Sequence, residues 1–185
     1  NKYNVPVRVL SSFNKGKGTL ITLEEESMEN ALVSGIAFQK DQIKFTLHGV
    51  GDTPGTAFKI LGPVSDAEVE VDVIVQNVSV DGKTDFTFTV ASEDKDTVKE
   101  VLDKLKDDVS YTELIIDSNI AKVSIVGVGM RSQAGIASKA FKALSENGVN
   151  IQIICTSEIK ITMVIEKELV DKAVTVLHKE FELEK

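Results

Sequence analysis

The chain has 185 residues, with 21 Lys plus Arg against 29 Asp plus Glu, a formal charge of −8. A nucleic-acid binder of the usual kind needs a basic face to neutralise phosphates, which this balance excludes. With 5% aromatics and no Trp, a base-stacking platform is excluded as well. Apolar runs such as Ala31-Leu32-Val33 are too short to span a bilayer, and no signal peptide is read ahead of the first strand-like stretch. The one cysteine, Cys155, has no internal disulfide partner, so a reducing cytoplasm is expected. Guanidinium clamps for phosphate or carboxylate are scarce, because the only arginines are Arg8 and Arg131.

Residues 1–30 stand apart from the remainder of the chain. Val5-Pro6-Val7-Arg8-Val9-Leu10 and Gly18-Thr19-Leu20-Ile21 are strand-like around a turn-rich loop, and Glu24-Glu25-Glu26 is a solvated charge run. Two strands without a helix cannot make a domain, so this stretch is expected to be the tail of an upstream domain or an extension. Beyond it lies an internal repeat. Lys44-Phe45-Thr46-Leu47-His48-Gly49-Val50-Gly51 matches Lys122-Val123-Ser124-Ile125-Val126-Gly127-Val128-Gly129, and after an insertion Gly55-Thr56-Ala57-Phe58-Lys59 faces Gly135-Ile136-Ala137-Ser138-Lys139. Val69 to Asn77 then faces Val149 to Ser157.

The periodicities predict the same elements in each copy. A β-branched strand over 43–49 or 121–127 ends in a Gly-rich turn, and a helix comes next over about 54–67 or 134–147. A nearly continuous apolar strand spans 69–78 or 149–155, and an alternating strand spans 84–90 or 159–165. A second helix carries Val98, Val101, Leu102 and Leu105, or Val170, Ala173, Val174 and Leu177, on one face. Closing strands are expected at 110–116 and 181–184. Gly62-Pro63 should kink or stop the first helix. The order βαββαβ is ferredoxin-like, so the fold class is α+β, with two tandem modules of four antiparallel strands at 31–117 and 118–185. Strand exchange between the modules is compatible with this pattern. Helices on one face only leave open sheet edges, which favour side-by-side pairing of copies.

Several blocks together resemble the regulatory region of aspartate kinase, a family with two tandem ACT domains behind a kinase domain. They are Gly49-Val50-Gly51-Asp52-Thr53-Pro54-Gly55-Thr56-Ala57, Val73-Ile74-Val75-Gln76-Asn77, Thr84 to Thr89, Ala121 to Met130, Val149-Asn150-Ile151, Thr156 to Ile161 and Leu177 to Leu183. Asn4 to Val9 with Gly18 to Ile21 resembles the last strands of the kinase domain. The family's Lys-φ-Gly-Gly-Thr-Ser stretch is absent, so this chain is not expected to phosphorylate aspartate alone. ATP and Mg²⁺ would belong to the kinase domain, and no cofactor is expected here. The resemblance implies feedback control by threonine, with lysine as a second candidate effector, a homodimer through the ACT domains, and attachment to a kinase-bearing α subunit or upstream domain.

A free amino acid needs donors for its carboxylate and acceptors for its ammonium. Amides of Gly55, Thr56 and Ala57 should be unpaired at the helix start behind Pro54, Asp52 can accept from an ammonium, and Gln76 can bond a hydroxyl. The resemblance adds Asn150 and Ile151 as the second wall, from the other ACT domain. By repeat symmetry a second site would use Met130, Gln133, Gly135, Ile136, Ala137, Thr156 and Ser157, with Asp72 and Val73 opposite. Asp72 interrupts an apolar strand, and a buried carboxylate there would need a cation such as a lysine ligand. Since Glu70 stands where the second copy has Asn150, the two halves should not bind alike.

Plainer readings stand beside these. Asp52 can be a helix N-cap, Gln76 a strand residue bonded to its own sheet, and Cys155 a core side chain. His48 and His178 have no second ligand at metal spacing. No nucleophile–base pair or P-loop supports an independent enzyme. The alternative to effector sensing is an assembly module without ligand.

Overall fold

The structure, a computed structural model, describes residues 7–13, 16–21, 33–77, 81–127 and 135–183. Near the N-terminus β1 (Val7–Val9) pairs antiparallel with β2 (Thr19–Ile21). The remaining strands form one six-stranded antiparallel sheet. They are β3 (Gly35–Gly51), β4 (Ile74–Gln76), β5 (Lys83–Ala91), β6 (Glu113–Val126), β7 (Ile151–Thr156) and β8 (Lys160–Glu166), in the spatial order β4-β5-β3-β6-β8-β7.

Two long strands make this one sheet serve both modules. The second half of β3 pairs with β5 and with the first half of β6 (Phe45 opposite Phe88 and Ile116), completing the first module. The first half of β3 crosses over: Gly35 to Gln39 lie opposite Val126 to Lys122, as the outer strand of the second module. Each module thereby has four strands, and β3 and β6 exchange their roles at bulges around Gln42. The closing strand expected at 181–184 is corrected by this crossover. Residues 181–183 are turn, and the fourth strand of the second module comes from residues 35–39.

Each module buries one face of its strands under helices. In the first, α1 (Thr56–Asp66), α2 (Lys95–Lys104) and the short α3 (Lys106–Val109) cover Phe45, Leu47, Phe86 and Phe88 with Ile60, Val64, Val98 and Leu102. The i, i+4 spacing of Ile60–Val64 and Val98–Leu102 sets those faces. On β5 the alternation sends Phe86, Phe88 and Val90 inward, while Asp85 points to solvent. In the second module α4 (Ile136–Glu146) and α5 (Val170–Glu180) bury Ala140, Leu144, Ala173 and Leu177 against Val123, Ile125 and Met163. Val33 belongs to this second core although it lies within 31–117, the span expected for the first module.

Other expectations need correction. Pro63 neither stops nor shortens α1, which runs on to Asp66 with Val64 fully buried. The lost amide is tolerated because the next residue anchors the helix to the core. Within its described part, 69–77, the apolar stretch is regular strand only over Ile74–Gln76, and Asp72 and Val73 hold to the ladder through Thr89. Cys155 is exposed on the edge strand β7 rather than in the core. Among the described residues no helix is long and apolar enough to cross a membrane.

Candidate functional site

The turn from β3 into α1 is the best-defined candidate. Gly55 caps the helix with φ 95°, and Gly135 caps α4 with φ 107°. Both lie in the left-handed region, which glycine enters without a Cβ penalty. The copies match in their first helical hydrogen bond: the Lys59 amide donates to the Gly55 carbonyl at 2.9 Å, as Lys139 does to Gly135 at 2.9 Å. The repeated Gly-x-Ala-x-Lys therefore encodes a repeated helix entry.

Neither Asp52 nor any other side chain caps α1, so the N-cap reading of Asp52 falls. Instead the Asp52 amide donates to the Gly82 carbonyl at 2.9 Å, and its carboxylate accepts from Gln76 Nε2 at 3.4 Å. The fold thus brings together Asp52 from the turn and Gln76 from β4, and both remain exposed. Thr56 departs from expectation. Its amide donates to the Thr53 carbonyl at 3.1 Å, and its buried hydroxyl donates to the Gly51 carbonyl at 2.8 Å and lies 3.1 Å from the Thr53 hydroxyl. It braces the turn and leaves Ala57 as a free helix-start amide among the described residues. Pro54, Gly55 and Ala57 are exposed beside it. The result is an open shelf: amide donors on one side, a carboxylate and a carboxamide on the other.

Asn150 and Ile151 are not brought to this shelf. They lie at the start of β7, the opposite edge of the sheet from β4. The sheet is folded at the bulges around Gln42, since Lys44 of β3 donates to Gln152 Oε1 of β7 and Lys122 of β6 pairs with Asp72 ahead of β4, yet no contact joins Asn150 or Ile151 to Asp52, Gln76 or Ala57 among the described residues. With Phe141, Ser145, Gly148, Val149 and Ile154, Asn150 and Ile151 line a groove of ≈ 470 Å³.

The second site is dispersed too. Gly135, Ile136 and Ala137 form the α4 entry, with Ile136 buried in the core. Thr156 and Ser157 are exposed at the end of β7, the Ser157 amide donating to the Lys160 carbonyl at 2.8 Å. Met130 and Gln133 lie outside the described residues. Asp72 is not buried: its side chain is 46% exposed, and the Lys122 ammonium, itself only 4% exposed, already pairs with it. Val73 is buried, its amide donating to Thr89 Oγ1 at 3.1 Å.

Sequence reasoning passed over two features. His48 Nδ1 lies 2.9 Å from Asp85 Oδ2, and the Gly49 amide donates to Asp85 Oδ1 at 3.1 Å. The Gly49 amide first, and His48 as hydrogen-bond partner and nearby charge, hold the Asp85 carboxyl below its usual value against partial burial. This pair pins the strand end that leads into the Asp52 turn. The second feature is Phe58, 79% exposed on α1 and packed on its own helix beside Gly62, whose missing Cβ would lie 3.5 Å from the ring. An aromatic four residues before a glycine was the available signal. Among the described residues no cluster of His, Cys, Asp and Glu could hold a metal ion.

Two ferredoxin-like modules in tandem, sharing exchanged strands and repeating a glycine-capped turn, define a protein of the ACT-domain class. ACT-domain family models match residues 47–109 and 123–181. The chain is 57% identical over 184 residues to the aspartate kinase of Pseudomonas fluorescens, covering 99% of this chain and 45% of that one. Among solved structures it resembles the alpha and beta subunits of an aspartokinase with TM-score 0.77 and 46% identity, covering 81% of this chain and 99% of that one. The ligand-free regulatory subunit of aspartate kinase from Thermus thermophilus matches with TM-score 0.77, 33% identity and the same coverages. The chain belongs to the aspartokinase family, as its tandem-ACT regulatory part. It spans less than half the length of the curated relatives it matches.

Proposed function

We propose that the chain senses a free amino acid, threonine first, and conveys feedback inhibition to an aspartate kinase catalytic domain. The observation that carries this reading is the meeting of Asp52 and Gln76 beside the Ala57 amide. An α-carboxylate suits the helix-start amides, an α-ammonium suits Asp52, and the Gln76 carboxamide suits a side-chain hydroxyl. The Gln76–Asp52 bond at 3.4 Å is long and weak, so a ligand gives up little by replacing it.

An open shelf needs a second wall, and among the described residues no contact brings Asn150 or Ile151 of the same chain to it. A second copy supplies it if its β7 edge lies against β4. Two features favour that homodimer. Both edges carry exposed aliphatics, Ile74 on β4 and Ile154 on β7. Phe58 stands out from α1 on one edge, and the groove beside Phe141 and Asn150 lies on the other. Burying a Phe side chain contributes about 1.5–3 kcal/mol, and a symmetric pair does so twice. Effector binding between copies would stabilise that pairing, and the preference for the paired state would inhibit the kinase.

The remaining assignments come from the family. The β1–β2 hairpin would complete an upstream catalytic domain or dock on a kinase-bearing α subunit. ATP and Mg²⁺ would be held there, and the assembly would work in the cytoplasm. Lysine at Asp72 is the less favoured effector, because it would have to displace Lys122. The test is titration calorimetry of threonine and lysine with sedimentation in parallel. Threonine should bind and drive dimerisation, and Asp52→Ala should abolish the heat while keeping the fold. Equal threonine binding by Asp52→Ala overturns the site. No binding of any amino acid would leave the assembly-module reading.

A further inference from the structure

On the face of the second module turned away from α4 and α5 lies a cavity of ≈ 380 Å³. Among the described residues it is lined by Ala37, Phe38 and Gln39 of β3, Lys122 and Ser124 of β6, and Lys160 of β8. It shares no residue with the shelf around Asp52.

Its described lining holds two lysines and no acid. Lys122 is nearly sequestered from solvent, and its ammonium is held below the ordinary lysine value, by burial first and then by the like charge of Lys160, against the pull of Glu70. Asp72 supplies Lys122 with one carboxylate from the edge of the first module. Lys160 brings a second ammonium, and the described lining residues include no acid. The cavity wall is therefore cationic inside a chain of net charge −8. Asp72 and Glu70 both act on Lys122, so the anion the cavity still lacks, among the described residues, is one for Lys160. The Gln39 carboxamide can donate to it, and Ala37 offers a small apolar wall. Asp72 itself demonstrates that Lys122 accepts a carboxylate.

We propose that this cavity binds a small free carboxylate bridging the Lys122 and Lys160 ammonium groups. Asp72 acts as a tethered competitor for Lys122. Occupancy by a free carboxylate loosens Asp72 and the segment that leads into Gln76, which connects the cavity to the shelf. The site is independent of whether the shelf takes threonine.

The experiment monitors backbone amide resonances of the full chain during titration with sodium acetate and sodium succinate, at ionic strength held constant with sodium chloride. Inorganic phosphate forms a separate arm. Saturable shifts are expected at Lys122, Ser124 and Lys160 with both carboxylates. Lys160→Gln, an exposed and structurally tolerant change, should weaken binding at least about tenfold. Asp72→Asn should tighten it several-fold by removing the resident carboxylate. No saturable shift, equal binding by Lys160→Gln, or weaker binding by Asp72→Asn would each overturn the site. Saturation by phosphate without the carboxylates would overturn the ligand class. These titrations contain no amino acid, so their failure leaves the threonine reading standing, and the reverse.

Discussion

A methyl group added at Gly55 tests whether the repeated helix entry depends on backbone conformation alone. A Cβ built on Gly55 or on Gly135 meets nothing within 4 Å, so steric collision with neighbours contributes nothing. Gly55 holds φ 95° and Gly135 φ 107°, however, and an L-residue pays about 1–2 kcal/mol for left-handed backbone. Both angles lie beyond the centre of the left-handed well, so the upper end of that range applies. For a chain of this size each kcal/mol lowers the melting temperature by about 2–4 °C. Gly55→Ala and Gly135→Ala should each melt about 4–8 °C below wild type. Gly51→Ala is the control: its Cβ also meets open space, but its φ is outside the positive region, so its melting temperature should stay within about 2 °C of wild type. Gly55→Asn should recover part of the loss, since asparagine visits this region more readily than alanine. Thermal melts read by far-UV circular dichroism compare all four. If Gly55→Ala melts with Gly51→Ala, the turn adapts, and backbone conformation does not explain the two glycines.

Other outcomes rest on single contacts. Pro63→Ala restores the amide that α1 lacks at that position; the gain of up to about 3 kcal/mol is reduced by the freer unfolded chain, so a net stabilisation of about 1–2 kcal/mol is expected in urea melts. Asp85 has a lowered carboxyl pKa in the folded state, so its contribution is complete above the unfolded value near 4 and is lost as pH falls through the folded value. Asp85→Asn should therefore flatten the acid limb of a urea-midpoint profile taken from about pH 5 to pH 2, and an unchanged limb would refute the pairing with Gly49 and His48. Starting the chain at Lys40 removes Val33 and Ile36 from the second core and the outer strand from its sheet. The loss of about 2–4 kcal/mol should appear as faster hydrogen exchange in residues 120–126, with β5 of the first module little changed.

The repeat was legible because each copy encodes local structure with local residues. Gly55 and Gly135 announce their turns, Phe86-Thr87-Phe88 alternates as a half-buried strand must, and Val98–Leu102 and Ala173–Leu177 recur at helical spacing. From these the ferredoxin-like modules and the proximity of Asp52 to Gln76 could be read in the sequence. The early stop read from Gly62-Pro63 failed because local propensity is weak against burial, and Val64 is fully buried in the core.

What only the tertiary structure decided concerns partners remote in sequence. A strand's sequence shows which of its faces is apolar, but not which distant strand completes its hydrogen bonds. Residues 35–39 therefore gave no sign of closing the second module, and 181–183 gave no sign of leaving that place open. Charge pairing is equally non-local. Asp72 announced a need for a cation, but only folding places the sequence-distant Lys122 against it. The same folding sends β4 and β7 to opposite ends of the strand order of one sheet, which separates the two walls of the candidate site along that order. Chain connectivity and strand register impose that separation, and residue identity at the walls does not encode it.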